Sequence, residues 1–240
     1  MDDTETRPID GILFDLDGTL VESEHLHTEA WAKLLESFDC HPSADDWADA
    51  FVGAPDSHSR DTILAMFPKL REAGDILEMK QKIYRDTVAE QGEEMSMPGV
   101  HTRLRQLNAA EVPMAVATNG VLANCRAVLV ATGMLHYFQT MVTFDQVENG
   151  KPAPDIYLLA AERLGFPPER CAVIEDSPTG IRAGRAAGCL VLGIETTMKA
   201  DRLAGSGPDR IFPDTAAALD WLEERLSRQS AAGARPEGTL

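Results

Sequence analysis

Two aspartates, Asp15 and Asp17, follow a short apolar run and lie just before Gly18. The run, residues 12–14, does not alternate between apolar and polar side chains, which is typical of a strand buried on both faces. A carboxylate directly after such a strand can attack phosphorus, and a second carboxylate can protonate the oxygen that leaves. Because two carboxylates repel a phosphate, this chemistry requires a divalent cation. The alternative is a turn in which Asp17 and Gly18 only reverse the chain.

Three further polar segments follow predicted strands or lie in the loops beyond them. They are Thr118-Asn119-Gly120, Gly150-Lys151-Pro152 and Glu175-Asp176-Ser177. A hydroxyl and backbone N–H groups at the start of a helix suit a phosphate oxygen, and a lysine on a backbone fixed by proline can neutralise nearby negative charge. Paired acids suit Mg²⁺, which takes carboxylate, water and phosphate oxygens. Each segment alone is also explained as a helix cap or a solvated side chain.

The arrangement of predicted helices and strands indicates an α/β protein with an insertion. Strands are predicted at residues 12–14, 114–117, 172–174 and 190–194, with weaker candidates at 141–142 and 211–212. They alternate with helices, which predicts a Rossmann-like, doubly wound parallel sheet as the core, made of residues 1–20 and 97–226. Residues 21–96 contain only helical patterns and are predicted to form an inserted α-helical cap. Residues 227–240 carry few apolar side chains and are predicted to be a disordered tail.

The predicted fold brings the four polar segments together. Ligands of open α/β sheets bind beyond the carboxyl ends of the strands, where all four segments are expected. A crevice that holds acids, a hydroxyl, a lysine and helix N-termini is suited to metal-assisted phosphoryl transfer.

The four segments also resemble the motifs of a known family. As FDLDGTL, VATNG, GKPAPDIY and IEDSPTGI, in this order, they are similar to those of the haloacid dehalogenase superfamily, and in particular of its β-phosphoglucomutase-like branch of helical-cap phosphatases. The resemblance extends over roughly residues 10–226. It implies a Mg²⁺-dependent phosphoric monoester hydrolase that acts on a small phosphorylated metabolite, such as a sugar phosphate, through an aspartyl-phosphate.

The resemblance assigns expected roles to the acids and the lysine. Asp15 is the expected nucleophile and a Mg²⁺ ligand. Asp17 is the expected general acid and base, and its backbone carbonyl contributes to the metal. Asp176 is an expected metal ligand, and Glu175 is a ligand or a partner of one. Lys151 is expected to bind phosphate and to take part in catalysis.

The resemblance also suggests which other residues contact the substrate. Thr118 and Asn119 are expected to bind phosphate together with Lys151. His27 matches a motif position in the cap and is a candidate for contacting the substrate. Trp31 matches another such position, but its helical spacing with neighbouring leucines favours packing. The segments around residues 19–22 and 97–99 match the hinges on which the cap of the family closes.

Some residues distinguish the branches of the family. Asp17 favours an oxygen leaving group, because dehalogenases lack an acid at this position. The mutases carry a lysine-containing run after the residue that corresponds to Thr118, and an arginine shortly after the glycine that corresponds to Gly53; this chain has neither, and Arg60 is out of register. We therefore expect a phosphatase. A β-phosphoglucomutase-type mutase is the alternative, and a non-catalytic, partner-binding protein is a second one that the retained acids and lysine disfavour.

Composition limits the partners and the compartment. The chain of 240 residues carries 22 Lys and Arg against 39 Asp and Glu, a net charge of −17, which disfavours nucleic acid and anionic membranes as partners. No stretch approaches the ~20 apolar residues of a membrane span, and the four cysteines form no CxxC pair. We expect a cytoplasmic protein with reduced thiols, and a monomer because the family branch is commonly monomeric.

Overall fold

The computed structural model describes residues 6–51 and 56–233. The chain divides into two compact units, one made of Met1–Glu22 and Glu93–Leu240 and the other of Ser23–Gly92. These divisions fall near the predicted limits of the core and the cap. That the two units act as a catalytic core and a cap remains a prediction.

The described residues of the unit Ser23–Gly92 form helices and the loops between them, and no strand. Its helices are α1 (Glu24–Ser37), α2 (Ala44–Phe51), α3 (Asp56–Met66) and α4 (Ile76–Gln91), with a 3-10 turn at Pro68–Glu72. The Asp75 carboxylate caps α4 by accepting hydrogen bonds from the backbone N–H groups of Leu77 and Glu78 at 3.0 and 3.2 Å. Trp31 is buried with Leu34 and Leu35, in the packing role predicted for it.

A buried ionic cluster also lies inside this helical unit. The fully buried Lys80 places its ammonium 2.7 and 2.8 Å from the two carboxylate oxygens of Asp56. Gln81 and Trp31 donate to the same carboxylate at 2.7 and 3.2 Å. Burial alone would raise the pKa of Asp56, but the charge and hydrogen bonds of Lys80 outweigh it and hold that pKa below its ordinary value. The cluster therefore holds an ionised Asp56 carboxylate that is paired with Lys80.

The described residues of the other unit form a parallel sheet of six strands. They are β1 (Gly11–Phe14), β2 (Met114–Thr118), β3 (Thr140–Thr143), β4 (Cys171–Glu175), β5 (Leu190–Ile194) and β6 (Arg210–Phe212), in the order β3-β2-β1-β4-β5-β6. Ile12 pairs with Met114 on one side and with Ala172 on the other. Along the chain, β2 and β3 are added on one side of β1, and β4, β5 and β6 are then added on the other side. This order confirms the predicted doubly wound sheet.

The described residues of this unit also form six α-helices. They are α5 (Val100–Ala109), α6 (Leu122–Ala131), α7 (Asp155–Leu164), α8 (Pro178–Ala187), α9 (Ala200–Ala204) and α10 (Thr215–Gly233). The inner strands are buried along their whole length, as their unalternating apolar residues predicted. None of the helices in residues 6–51 and 56–233 is both long and apolar enough to cross a membrane.

The prediction of a disordered tail from residue 227 was wrong for residues 227–233, which belong to α10. The Gln229 carboxamide donates to the carbonyl of Ile9 and accepts from its N–H group, both at 2.9 Å, and Arg225 donates to the carbonyl of Arg7. The helix is therefore held to the segment before β1 by polar contacts, which a count of apolar side chains does not detect. Residues 234–240 lie outside the described part of the chain.

Candidate active site

Three neighbouring strands deliver polar side chains to one edge of the sheet. Asp15 follows β1 directly, Thr118 is the last residue of β2, and Glu175 is the last residue of β4, with Asp176 next to it. Lys151 lies in the loop between β3 and α7. Since β2, β1 and β4 are adjacent and parallel, their carboxyl ends meet at this edge. The predicted convergence of the four segments is therefore present in the structure.

Lys151 is the centre of this group of side chains. Its Nζ lies 2.5 Å from Asp15 Oδ1 and 2.6 Å from Glu175 Oε1. Burial alone would lower the pKa of Lys151, but the charges of Asp15 and Glu175 and the hydrogen bonds to them raise it above its ordinary value. The ring of Tyr157 lies beneath the ammonium, with its centroid 4.8 Å from Nζ. The surroundings of this buried lysine therefore favour its charged form.

Three buried carboxylates, two of which bind this lysine, form a candidate metal site. Asp15, Glu175 and Asp176 each offer an oxygen, and these oxygens lie within 4.8 Å of one another. Burial, as the largest cause, and repulsion by neighbouring acids raise the pKa of Asp15 well above its ordinary value and that of Asp176 to about 7. Carboxylates that crowd together in this way favour a divalent cation, whose charge would offset their repulsion. The side chains present therefore fit a hard metal ion.

The three carboxylates are not equally available to a metal. Glu175 Oε1 accepts hydrogen bonds from Lys151 and from the Tyr157 hydroxyl, the latter at 2.9 Å. Its Oε2 accepts from the N–H and the hydroxyl of Ser177 at 3.1 and 2.9 Å. Asp15 and Asp176 are therefore the better candidates for direct ligands, and Glu175 is better suited to holding Lys151 and the start of α8 in place.

Two threonines that the motifs did not indicate bind the loop after β1 and Asp176. Thr196 donates to the carbonyl of Gly18 at 2.6 Å, and Thr197 donates to Asp176 Oδ2. A side chain at Gly18, whose φ is +77°, would collide with Asp176 and Thr197. Glycine is therefore required at this position. The threonines follow β5, far along the chain from Gly18, and no local pattern indicates their role. Tyr157 was also not predicted as a site residue, although it lies inside the motif GKPAPDIY.

The predicted phosphate-binding residues of β2 lie beside Lys151. Thr118 is buried, and its hydroxyl accepts from the backbone N–H of Gly120 at 3.0 Å. The Asn119 carboxamide accepts from the N–H of Lys151 at 2.8 Å and donates to the carbonyl of the same residue at 3.2 Å. Asn119 is thus in contact with the lysine backbone, while phosphate binding by Thr118 and Asn119 remains a prediction.

Two of the predicted site residues lie outside this buried group. Asp17 is half-buried in the loop after β1, and its carboxylate is not one of the three that could share a metal. His27 belongs to the helical unit, where its Nδ1 lies 2.7 Å from Lys80 Nζ and its ring stacks on that of Tyr84 with a centroid separation of 4.0 Å. Catalysis by Asp17 and substrate contact by His27 therefore remain predictions.

The raised pKa of Asp176 predicts a pH-dependent stability. Between its ordinary value of 3.8 and its value of about 7 in the folded protein, the folded state holds a proton that the unfolded state has lost. Stability therefore falls as the pH rises through this window, because the native state binds more protons. Urea unfolding in EDTA between pH 4 and pH 8 should show Asp176→Asn gaining stability over the wild type as the pH rises. A constant difference between the two proteins would contradict this expectation.

Known proteins resemble this chain in sequence and in structure. The profile of the family described as haloacid dehalogenase-like hydrolase matches residues 9–188. Hexitol phosphatase A of Escherichia coli is 34% identical over 195 residues, which cover 80% of this chain and 86% of the relative. Fructose-1-phosphate phosphatase YqaB of Escherichia coli is 32% identical over 178 residues, which cover 74% and 92%.

A solved structure agrees with these sequence matches. CbbY from Rhodobacter sphaeroides, in complex with xylulose-(1,5)bisphosphate, has a TM-score of 0.72 and 29% identity, and the match covers 87% of this chain and 95% of CbbY. The matched residues 9–188 include all four motifs and every member of the buried group around Lys151. The chain therefore belongs to the haloacid dehalogenase-like hydrolases, as its motifs predicted.

Proposed function

We propose that this protein is a Mg²⁺-dependent phosphatase that hydrolyses a small phosphorylated metabolite, a sugar or polyol phosphate, through an aspartyl-phosphate on Asp15. The observation that carries the proposal is the buried group in which Lys151 Nζ lies 2.5 Å from Asp15 and 2.6 Å from Glu175, with Asp176 beside them. The names of the relatives, hexitol phosphatase and fructose-1-phosphate phosphatase, support the substrate class.

In the first step, a carboxylate oxygen of Asp15 attacks the phosphorus of the substrate. The bond between phosphorus and the alcohol oxygen breaks, and Asp17 transfers its proton to that oxygen. In the second step, Asp17 takes a proton from a water molecule as the water attacks the phosphorus. The bond between phosphorus and Asp15 breaks, which releases inorganic phosphate and regenerates the carboxylate. Asp17 ends the cycle protonated, as it began.

The charges around Asp15 act in opposite directions. Burial and the neighbouring acids favour the protonated form of Asp15, which cannot attack, whereas the ammonium of Lys151 lowers the pKa of this carboxyl and favours the reactive anion. Mg²⁺ bound by Asp15 and Asp176 would offset the repulsion between the carboxylates and the phosphate. Thr118 and Lys151 would hold phosphate oxygens. Lys151 and the cation would together offset the charge of the three carboxylates, so that a phosphate can approach in a chain whose net charge is −17.

A panel assay tests the proposal and names the substrate class. Phosphate release would be measured with Mg²⁺ or EDTA on hexose phosphates, hexitol phosphates, nucleotides and β-glucose 1-phosphate, with glucose 6-phosphate followed separately. We expect release from some sugar or polyol phosphates and its loss in EDTA. Conversion of β-glucose 1-phosphate to glucose 6-phosphate with little free phosphate would instead identify a mutase. Metal-independent release, or none from any phosphoester, would contradict the proposal.

A further inference from the structure

The backbone at Lys151 is held by a side chain from a different loop. Asn119, which follows β2, accepts a hydrogen bond from the Lys151 N–H at 2.8 Å and donates one to the Lys151 carbonyl at 3.2 Å. One planar carboxamide therefore binds both backbone polar groups of the residue that carries the buried ammonium. A pair of such bonds fixes the orientation of the peptide as well as its distance.

Phe144 packs against Gly150, next to the contact between Asn119 and the Lys151 backbone. A Cβ atom at Gly150 would lie 2.6 Å from Cδ2 of Phe144 and 2.7 Å from Oδ1 of Asn119. Gly150 is therefore enclosed between the two side chains, and only the absence of its own side chain allows them to approach. The Phe144 side chain is 49% exposed, so its ring covers the loop from the surface and is not part of the core.

Backbone hydrogen bonds connect the two loops that supply these side chains. Phe144 donates its N–H to the carbonyl of Gly120 at 3.0 Å. Asp145 accepts from the N–H of Leu122 at 3.1 Å and from the Thr143 hydroxyl at 2.6 Å. The segment after β3 is thus attached to the segment after β2, and both contact the residues around Lys151.

We propose that Asn119, supported by Phe144 packed over Gly150, is a positioning residue that acts through Lys151 and not by binding the phosphate itself. This inference rests on the proposed function, because it assigns Asn119 a part in placing the ammonium between Asp15 and Glu175. Lys151 lies in a loop and not in a strand, so the sheet alone does not fix its backbone. A displacement of about 1 Å in such a group can cost about 100-fold in rate.

A double-mutant cycle separates positioning from direct binding. If Asn119 acts through Lys151, Asn119→Ala lowers kcat about tenfold and changes KM much less. Adding Asn119→Ala to a protein that already carries Lys151→Ala then has almost no further effect on kcat. If Asn119 binds the phosphate itself, the two losses multiply, and the inference is wrong. Asn149→Ala is the matched control, because that carboxamide donates to Asp155 at 3.1 Å; an equal loss of kcat there would also overturn it.

Hydrogen exchange gives a second readout that does not depend on turnover. Faster exchange is expected at the Lys151 amide in Asn119→Ala and in Phe144→Ala, by about tenfold, because that amide would lose its acceptor or the support of its acceptor. Unchanged protection in both variants would overturn the inference. If Lys151→Ala keeps full activity, the role of Lys151 in the proposed function fails. If Lys151→Ala is inactive and Asn119→Ala is normal in both assays, only the present inference fails.

Discussion

Replacing Asp15 with asparagine is expected to lower kcat by about four orders of magnitude or more, because the amide oxygen cannot replace a carboxylate as the nucleophile. Asparagine has nearly the same shape, and it removes one of three crowded carboxylates. The variant should therefore fold, and phosphate release should be measured alongside thermal unfolding to establish this. Turnover within about tenfold of the wild type would exclude Asp15 as the nucleophile.

The matched control for this experiment lies at the opposite end of the same strand. Asp10 precedes β1 and accepts a hydrogen bond from Arg170 Nη2 at 2.7 Å. Asp10→Asn makes the same chemical change at a distance from the catalytic edge of the sheet. We expect this variant to keep wild-type turnover. A loss comparable to that of Asp15→Asn would mean that the effect comes from charge or stability and not from chemistry.

Replacing Lys151 with methionine is expected to abolish most turnover and also to destabilise the fold. The side chains of Lys151 and Glu175 are 3% and 1% exposed, so removing the ammonium leaves buried carboxylates without their shared partner. Loss of one partner from a buried ionic group costs about 3–5 kcal/mol. The carboxyls can take up protons to reduce this cost, so the loss should be smaller at pH 5 than at pH 8. Urea unfolding at both pH values measures it.

A lysine on the surface serves as the control for that variant. Lys82 pairs with Asp86 at 2.8 Å, and both side chains are mostly exposed, so Lys82→Met should change stability little. Adding Mg²⁺ should return part of the stability lost in Lys151→Met, because a bound cation offsets the same carboxylates. It should not return turnover. Equal stability of Lys151→Met and the wild type at pH 8 would contradict the burial of a charged lysine among acids.

The sheet and the acids at its edge were predictable because both depend on local sequence. The strands have short, unalternating apolar runs, and Asp15, Glu175 and Asp176 follow those runs directly. Once strands are parallel and adjacent, their carboxyl ends coincide. The position of Lys151 was predictable to the extent that its motif fixes it in the loop before α7.

The remaining features depend on contacts between distant parts of the chain. Thr196 contacts Gly18, in the loop after β1, and Thr197 contacts Asp176, after β4. Both contacts depend on the order β1-β4-β5 in the sheet. The last turns of α10 are held by Gln229 at Ile9, which no periodic pattern reveals. Asn119 was expected to bind phosphate because of its motif, yet its carboxamide contacts the backbone of Lys151. A carboxamide can bind a phosphate or a peptide group, and the motif alone does not indicate the contact with Lys151.

The phosphoenzyme itself offers the most direct test of the proposed chemistry. The Asp17→Asn variant would be mixed with Mg²⁺ and an aryl phosphate, whose leaving group needs no proton. The reaction would be quenched in acid during turnover, and the masses of the peptides would be measured by mass spectrometry. Without the Asp17 carboxylate to activate water, the intermediate should accumulate. We expect a phosphoryl group on the peptide that contains Asp15. We expect none in the double variant that carries both Asp15→Asn and Asp17→Asn. A phosphoryl group on another residue, or phosphate release with Asp15 never modified, would contradict the central claim.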